Sequence, residues 1–142
     1  MIKRPKFSKV AGIVGDIPGI DWEHKKENLS RSRSQFGGDE FVRESYQAVR
    51  DNIRISISHD NGYSWFSYST MWDSHETENH PFQNYELTFF VDDKETASFK
   101  GSRVKAIYSR VKRSYEKAKK EVDSKDAELR IGKLEKFLEE ER

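Results

Sequence analysis

The residue types best suited to metal chemistry gather in one short stretch, WDSHETENH, residues 72 to 80. Its ligating side chains are Asp73, His75, Glu76, Glu78 and His80. Two histidines share an ion on a helix when they stand four residues apart, because that spacing places them about 40° apart around the axis. His75 and His80 stand five apart, about 140° around a helix, and Pro81 favours a loop. We therefore predict a solvated acidic loop with no metal and no cofactor, and His75, Glu76 and His80 stand as the alternative metal candidates.

General acid and base catalysis has little support in the remaining residues. The chain has four histidines, none at a convincing triad spacing, and no cysteine, which excludes thiol catalysis, disulfides and cysteine-based zinc sites. His75-Glu76-Thr77 is half of the paired His-x-Ser/Thr arrangement of some phosphoesterases, but His59-Asp60-Asn61 does not supply the other half. We predict a non-catalytic protein, with a metal-dependent hydrolase built on the 75–80 loop as the minority alternative.

The pentapeptide Gly37-Gly38-Asp39-Glu40-Phe41 resembles the signature of the GGDEF diguanylate cyclases. In that family the signature lies on a turn between two strands, well over halfway through a larger domain, with metal-binding and nucleotide-binding residues upstream. Only 36 residues precede Gly37 here, and they carry no metal carboxylate pair. Val42, Tyr46 and Val49 then follow at helical spacing, which predicts a helix over residues 39–51. We therefore interpret the pentapeptide as a helix start, with Asp39 and Glu40 in the first turn.

Positive charge is concentrated near one predicted helix. Residues 98–120 contain nine Lys/Arg and one Asp/Glu, whereas residues 61–97 contain one Lys/Arg and seven Asp/Glu. Such segregation concerns surfaces and partners rather than fold. It predicts an anionic partner, either nucleic acid or an acidic protein surface, for a set of cations comprising Lys100, Arg103, Lys105, Arg110, Lys112, Arg113 and Lys117. The alternative is that acidic segments of the same chain neutralise the block.

The stretch ELTFFVDDKETASFKGSRVKA looks like the second half of a double-stranded-RNA-binding domain, in which strand, turn, strand and basic helix follow one another. The resemblance implies that Lys100, Arg103 and Lys105 contact phosphates. The chain departs from that family, which has three strands and small residues where Ile107 and Tyr108 stand here.

Alternating apolar residues predict the sheet. Ile53, Ile55 and Ile57 alternate before the turn signal Asp60-Asn61-Gly62 and a second aromatic run, which predicts a hairpin. A loop of about a dozen residues leads to a second hairpin around Asp92-Asp93. The predicted fold class is α+β: a four-stranded antiparallel sheet with helices on one face, in the order α-β-β-β-β-α-α, after an irregular N-terminal arm. Aromatic residues of the sheet are the candidates for stacking: Tyr63, Trp65 and Phe66.

The predicted organisation has three segments: an irregular basic arm over 1–38, a core domain over 39–122 and a helical tail over 123–142. An apolar stripe over Val104, Ile107, Tyr108 and Val111, with Ser102 as N-cap, packs the first of the last two helices on the sheet. The tail stripe Ala127, Ile131, Leu134 and Leu138 belongs to a separate helix or extends that one. It would dock on the sheet or pair with a second copy, as a homodimer through the C-terminal helix.

The function predicted from these features is a small binding module for an anionic partner, most simply nucleic acid. The alternative is a protein-directed inhibitor or adaptor, of the kind that viruses make against host machinery, acting through segregated charged surfaces. No apolar run is long enough for a secretory signal or a membrane span, so we predict a soluble, cytoplasmic protein with no membrane partner.

Overall fold

The computed structural model describes residues 5–69 and 75–141, without the side chains of Ser69 and His75. Helix α1 spans Phe7–Gly15, and a short 3-10 turn follows at Gly19–Asp21. The strands are β1 (Glu23–Ser34), β2 (Gly37–Arg50), β3 (Ile53–Ser69), β4 (His75–Val91) and β5 (Lys94–Lys100), and α2 (Ser102–Glu140) ends the chain.

The strands form one antiparallel sheet in the order β1-β2-β3-β4-β5. Tyr46 pairs with Ile57 and Ile57 with Leu87, so these buried residues share the face on which the helices pack, the helix face. The neighbouring row, Arg43, Asp60 and Asn84, points to the opposite side, the open face. The predicted α+β class with an antiparallel sheet is confirmed, but the sheet has five strands rather than four. Along the chain, one helix precedes the five strands and one helix follows them.

The helix predicted over 39–51 is wrong, because these residues form β2. The spacing of Val42, Tyr46 and Val49 imitates a helical stripe, yet Val49 is 61% exposed and the three do not share a buried face. Tyr46 and Ala48 are buried on the helix face, and Phe41 is buried on the open face. Apolar residues on both faces obscure the alternation from which a strand is predicted.

The irregular arm predicted over 1–38 is also wrong, since it contains α1, the 3-10 turn and β1. Val10 and Val14 of α1 and Trp22 after the turn belong to the core. Strand β1 lies at the sheet edge and is almost wholly polar, so its pairing with β2 is set by backbone hydrogen bonds that leave no apolar pattern. The division into three segments stays a prediction.

The hairpin predicted at Asp60-Asn61-Gly62 is wrong, because β3 runs through it without a break. A side chain at Gly62 would place its Cβ 2.1 Å from the backbone carbonyl oxygen of Glu40 and 2.5 Å from Phe41 Cα. Glycine stands here because β2 and β3 approach closely, not because the chain turns. Strand β4 likewise replaces most of the predicted loop, and Pro81 fits within it because β5 pairs only with residues 86–91, leaving this part of β4 at an edge.

Two predictions near the C-terminus are confirmed. The β4–β5 hairpin turns at Asp92 and Asp93, both with positive φ, a conformation that Asp tolerates better than most residues. In α2 the residues Val104, Ile107, Tyr108 and Val111 are buried against the sheet. The tail continues α2 as one helix of 39 residues, and its N-cap is Gly101 rather than Ser102, with no side-chain cap bond.

Candidate nucleic-acid interface

Several cations predicted to face a partner are engaged within the chain itself. The Arg103 guanidinium lies over the rings of Phe7 and Phe99, 4.6 Å and 5.5 Å from their centroids. Arg110 Nη2 donates to Asp16 Oδ1 at 3.1 Å, and Arg113 Nε donates to the Ser109 carbonyl of its own helix. The contacts of Arg103 with Phe7 and of Arg110 with Asp16 join the N-terminal segment to α2, and the ion pair with Asp16 neutralises part of the basic block within the chain.

Lys112 pairs with a carboxylate that is far less exposed than Asp16, the partner of Arg110. Its Nζ lies 3.3 Å from Glu44 Oε1, which also accepts a hydrogen bond from the Tyr46 hydroxyl at 3.0 Å. His24 Nε2 approaches the same oxygen at 3.6 Å. Burial alone would raise the pKa of the Glu44 carboxyl, but Tyr46 and Lys112 together lower it below its usual range. Lys112 therefore stabilises a carboxylate between sheet and helix.

His59 lies beside this carboxylate on the helix face. Its ring stacks on that of Tyr85, with centroids 4.3 Å apart and planes 1° from parallel. Its Nε2 is buried and has no hydrogen-bond partner among the described residues. Burial lowers the pKa of the His59 imidazole, so the neutral ring is favoured in the folded protein.

A groove of about 690 Å³, which we call the basic groove, lies where the open face meets the start of α2. Its cations come from four elements: Arg31 of β1, Arg43 of β2, Lys100 at the end of β5 and Lys105 near the start of α2. The other lining residues are Ser58, Asp60, Gln83, Asn84, Tyr85, Glu86, Gly101 and Ser102. Within the described part of the chain neither lysine forms an ion pair, so both ammonium groups are free for an anionic partner.

The arginines of the groove are fixed by carboxylates of the same face. Arg43 donates from Nε and Nη2 to the two oxygens of Asp60, at 2.8 Å and 3.0 Å, which raises the pKa of Arg43. Arg31 Nε lies 3.8 Å from Asp39 Oδ2. The pair with Asp60 uses two of the five N–H groups of the Arg43 guanidinium and leaves the others for a ligand.

Aromatic rings lie beneath the guanidinium groups of the open face. Those of Arg31 and Arg43 lie 4.7 Å and 5.5 Å from the centroid of the Phe41 ring, which packs edge-on against Phe82. Arg33, at the end of β1, lies 5.6 Å from the centroid of Phe66. Planar guanidinium groups held over aromatic rings can stack on nucleobases while contacting phosphates.

The predicted stacking residues divide between the two faces. Phe66 is 43% exposed on the open face, where it packs edge-on against His80. Tyr63 and Trp65 lie on the helix face, beyond the part that α2 covers, and the Tyr63 hydroxyl donates to Glu40. One flat ligand therefore cannot stack on all three rings. About 20 Å separates Phe66 from Asp60 in the groove, six residues along one strand.

The Gly-Gly-Asp-Glu-Phe stretch begins β2 directly after the β1–β2 turn, so the interpretation as a helix start is wrong. Asp39 is 9% exposed and accepts hydrogen bonds from Arg33 and from Ser64 Oγ, which hold the pKa of its carboxyl below the usual range. Glu40 accepts from Tyr63. Both carboxylates of the signature are thus engaged by neighbouring strands.

The metal candidates lie at the start of β4. Asp73 is outside the described residues, and so is the side chain of His75. Glu76 and Glu78 accept from the Tyr68 hydroxyl at 2.9 Å and 3.3 Å, and His80 Nε2 lies 3.4 Å from Glu78. Among the described side chains no group of three or more His, Cys, Asp or Glu could hold a metal ion. The metal-dependent hydrolase stays a prediction from sequence.

Sequence reasoning missed Arg31, Arg43 and Phe41, which the structure brings together with Lys100 and Lys105. Arg31 lies on a strand with no apolar pattern, and Arg43 on one mistaken for a helix. Alternation of Asp39, Phe41 and Arg43 along β2 was the available signal, since three residues at spacing two share one face of a strand.

No family model, curated protein or solved structure matches this chain. In the described ranges, no helix is both long enough and apolar enough to cross a lipid bilayer.

Proposed function

We propose that this chain is a non-catalytic binding module whose basic groove and open sheet face bind an anionic partner, most simply single-stranded nucleic acid. The observation that carries the proposal is the convergence of four cations from four elements on one groove, two of them without an ion-pair partner among the described residues. Phosphate contacts by Lys and Arg supply most of the affinity of proteins that bind nucleic acid without sequence preference.

The open face supports a single strand as the ligand. Arg31 and Arg43 lie over the Phe41 ring, and Phe66 offers a partly exposed ring about 13 Å from Phe41 along the same face. A flexible strand can place its phosphates in the groove and its bases on these planar groups, as proteins that bind single strands do. In a duplex the bases are already stacked on one another and offer no free faces to such groups.

The testing experiment is fluorescence anisotropy with labelled single-stranded and double-stranded DNA and RNA, at low and near-physiological salt. We expect single strands to bind more tightly than duplexes of the same length. A Lys100→Gln/Lys105→Gln variant should bind all of them more weakly. Equal affinity of variant and parent, or no binding at low salt, would remove the groove as a nucleic-acid site.

A second candidate function is the inhibitor or adaptor that binds a protein. Ile20, in the 3-10 turn, is 70% exposed and forms an apolar groove with Ala118 and Val122 of α2. Exposed apolar surface of this kind often marks a protein contact. Capture of a partner from cell extract that survives nuclease treatment and is lost with Ile20→Asp would favour this function, whereas loss of every partner after nuclease would exclude it.

A further inference from the structure

The second half of α2, from residue 123 onward, extends beyond the sheet and the helical packing on it. Tyr115 packs its ring against His24 and Tyr46 of the sheet. Beyond Val122 every described side chain of the helix is exposed except Ala127, which is half-buried. The segment 123–140 is therefore a free helical rod about 27 Å long.

The rod carries an apolar seam that the body does not use. Ala127, Ile131, Leu134 and Leu138 are separated by four, three and four residues, which is the a/d spacing of a two-stranded coiled coil. Ile131, Leu134 and Leu138 are each 55–56% exposed. At 100° per residue, this seam lies about 150° around the helix from the stripe that packs on the sheet. A partner on the seam would therefore meet the rod on the side away from the sheet.

We propose that the occupant of this seam is the same segment of a second copy, in a parallel two-stranded coiled coil. With Ile131 at an a position and Leu134 at a d position, Arg130 takes a g position and Glu135 the following e position. In a parallel pair each Arg130 faces Glu135 of the other chain, and two ion pairs flank the central apolar layers. The parallel pair also brings Asp123 near Glu128 of the other chain, twice. An antiparallel pair would instead place Glu128 near Glu135 of the other chain, twice, and would give Arg130 no acidic partner, so the charges favour the parallel pair.

The seam and the stripe that packs on the sheet lie on opposite sides of α2. In the dimer, the two sheets with their packed helices therefore lie on opposite sides of the coiled coil. The dimer would carry two basic grooves, one on each body, so that a ligand long enough to reach both gains avidity. The dimer itself does not depend on the proposed ligand of the groove, since no groove residue lies within 123–140.

Sedimentation equilibrium of the full chain over micromolar to millimolar concentrations tests the association. We expect a reversible approach to twice the chain mass of 16.7 kDa. Leu134→Lys should return the mass to that of the monomer, whereas the matched control Leu129→Lys, on the same helix but off the seam, should leave the dimer intact. A monomer at all concentrations, or a dimer that survives Leu134→Lys, would overturn the proposal.

The orientation of the two helices has its own test. Ser124 occupies the a position one turn before Ala127, and the chain has no cysteine of its own, so Ser124→Cys supplies a single thiol. Oxidation should cross-link the parallel dimer, because both thiols lie in one layer. Arg130→Glu should weaken the dimer, and the double variant Arg130→Glu/Glu135→Arg should restore it. A dimer that neither cross-links through Ser124→Cys nor recovers in the double variant is not parallel, and refutes this arrangement.

Failure of this proposal and failure of the proposed function give different results. Leu134→Lys should leave binding of a short oligonucleotide unchanged, and Lys100→Gln/Lys105→Gln should leave the sedimentation mass unchanged.

Discussion

Removing the two free charges of the basic groove should change the salt dependence of nucleic-acid binding by a definite amount. The change is Lys100→Gln with Lys105→Gln, which removes each charge but keeps a polar side chain and leaves Arg31 and Arg43 in place. Each phosphate contact to a single strand contributes about −0.7 to the slope of log K against log salt. Four cations line the groove, so the parent slope should approach about −2.8 if all four contact phosphates, and the variant slope about −1.4.

These slopes translate into affinities that an anisotropy titration separates easily. Raising salt from about 50 to about 200 mM should weaken the parent about 50-fold and the variant only about 7-fold. The matched control is Lys119→Gln with Lys120→Gln, which removes the same charge from exposed positions of α2 outside the groove. Its slope should stay within error of the parent slope.

Two results would refute this reasoning. If the groove variant keeps the parent slope, Lys100 and Lys105 do not contact phosphates. If the control flattens the slope as much as the groove variant does, the exposed side of α2 carries the binding and the location of the site is wrong.

Three further predictions concern stacking, packing and pH. Phe66→Ala should weaken single-strand binding by about 1–3 kcal/mol through lost stacking. Phe137→Ala, at a residue of the tail that is even more exposed, should not; anisotropy at fixed salt measures both. Gly62→Ala should lower the unfolding free energy by about 3 kcal/mol, because the added Cβ would overlap β2. Gly12→Ala, whose added Cβ has nothing within 4 Å, should raise the unfolding free energy by up to about 1 kcal/mol. Urea unfolding measures both, and equal shifts of the two variants would contradict the prediction. Burial lowers the pKa of His59 in the folded protein, so the unfolded chain binds the proton first as pH falls. The stability of the fold should therefore decrease as pH drops below the ordinary histidine pKa of 6.5, and His59→Gln should make the thermal midpoint less dependent on pH between 7.5 and 5. An unchanged pH profile in this variant would contradict the prediction.

The parts of the fold predictable from sequence are those in which one physical signal acts alone. The stripe of α2 is apolar on one side and charged elsewhere, and the β4–β5 hairpin combines alternation with a turn of two Asp residues. Strand β2 is not predictable in this way, because apolar residues on both of its faces, Phe41 on one and Tyr46 on the other, obscure its period. Strand β1 has no apolar period at all, and its conformation depends on the partner strand.

The candidate site was predictable only in part. Lys100 and Lys105 were found from the charge of the segment around them, and both line the groove. Arg103, Arg110 and Lys112 come from the same segment, yet their partners Phe7, Asp16 and Glu44 lie far away in sequence. Net charge shows how many cations a segment has, but tertiary contacts decide which of them are free.

The sequential strand order of the sheet has a consequence for folding. Every strand pairs with its neighbour in the chain, so the sheet can assemble one hairpin at a time with small losses of loop entropy. The layer above it differs, because α1 reaches its place only when the N-terminal segment meets α2, as in the contact between Asp16 and Arg110, 94 residues apart. Hydrogen exchange should therefore find the amides of α1 opening more readily than those of β3 at the centre of the sheet. We therefore expect the sheet to form first and the N-terminal helix to pack on it last.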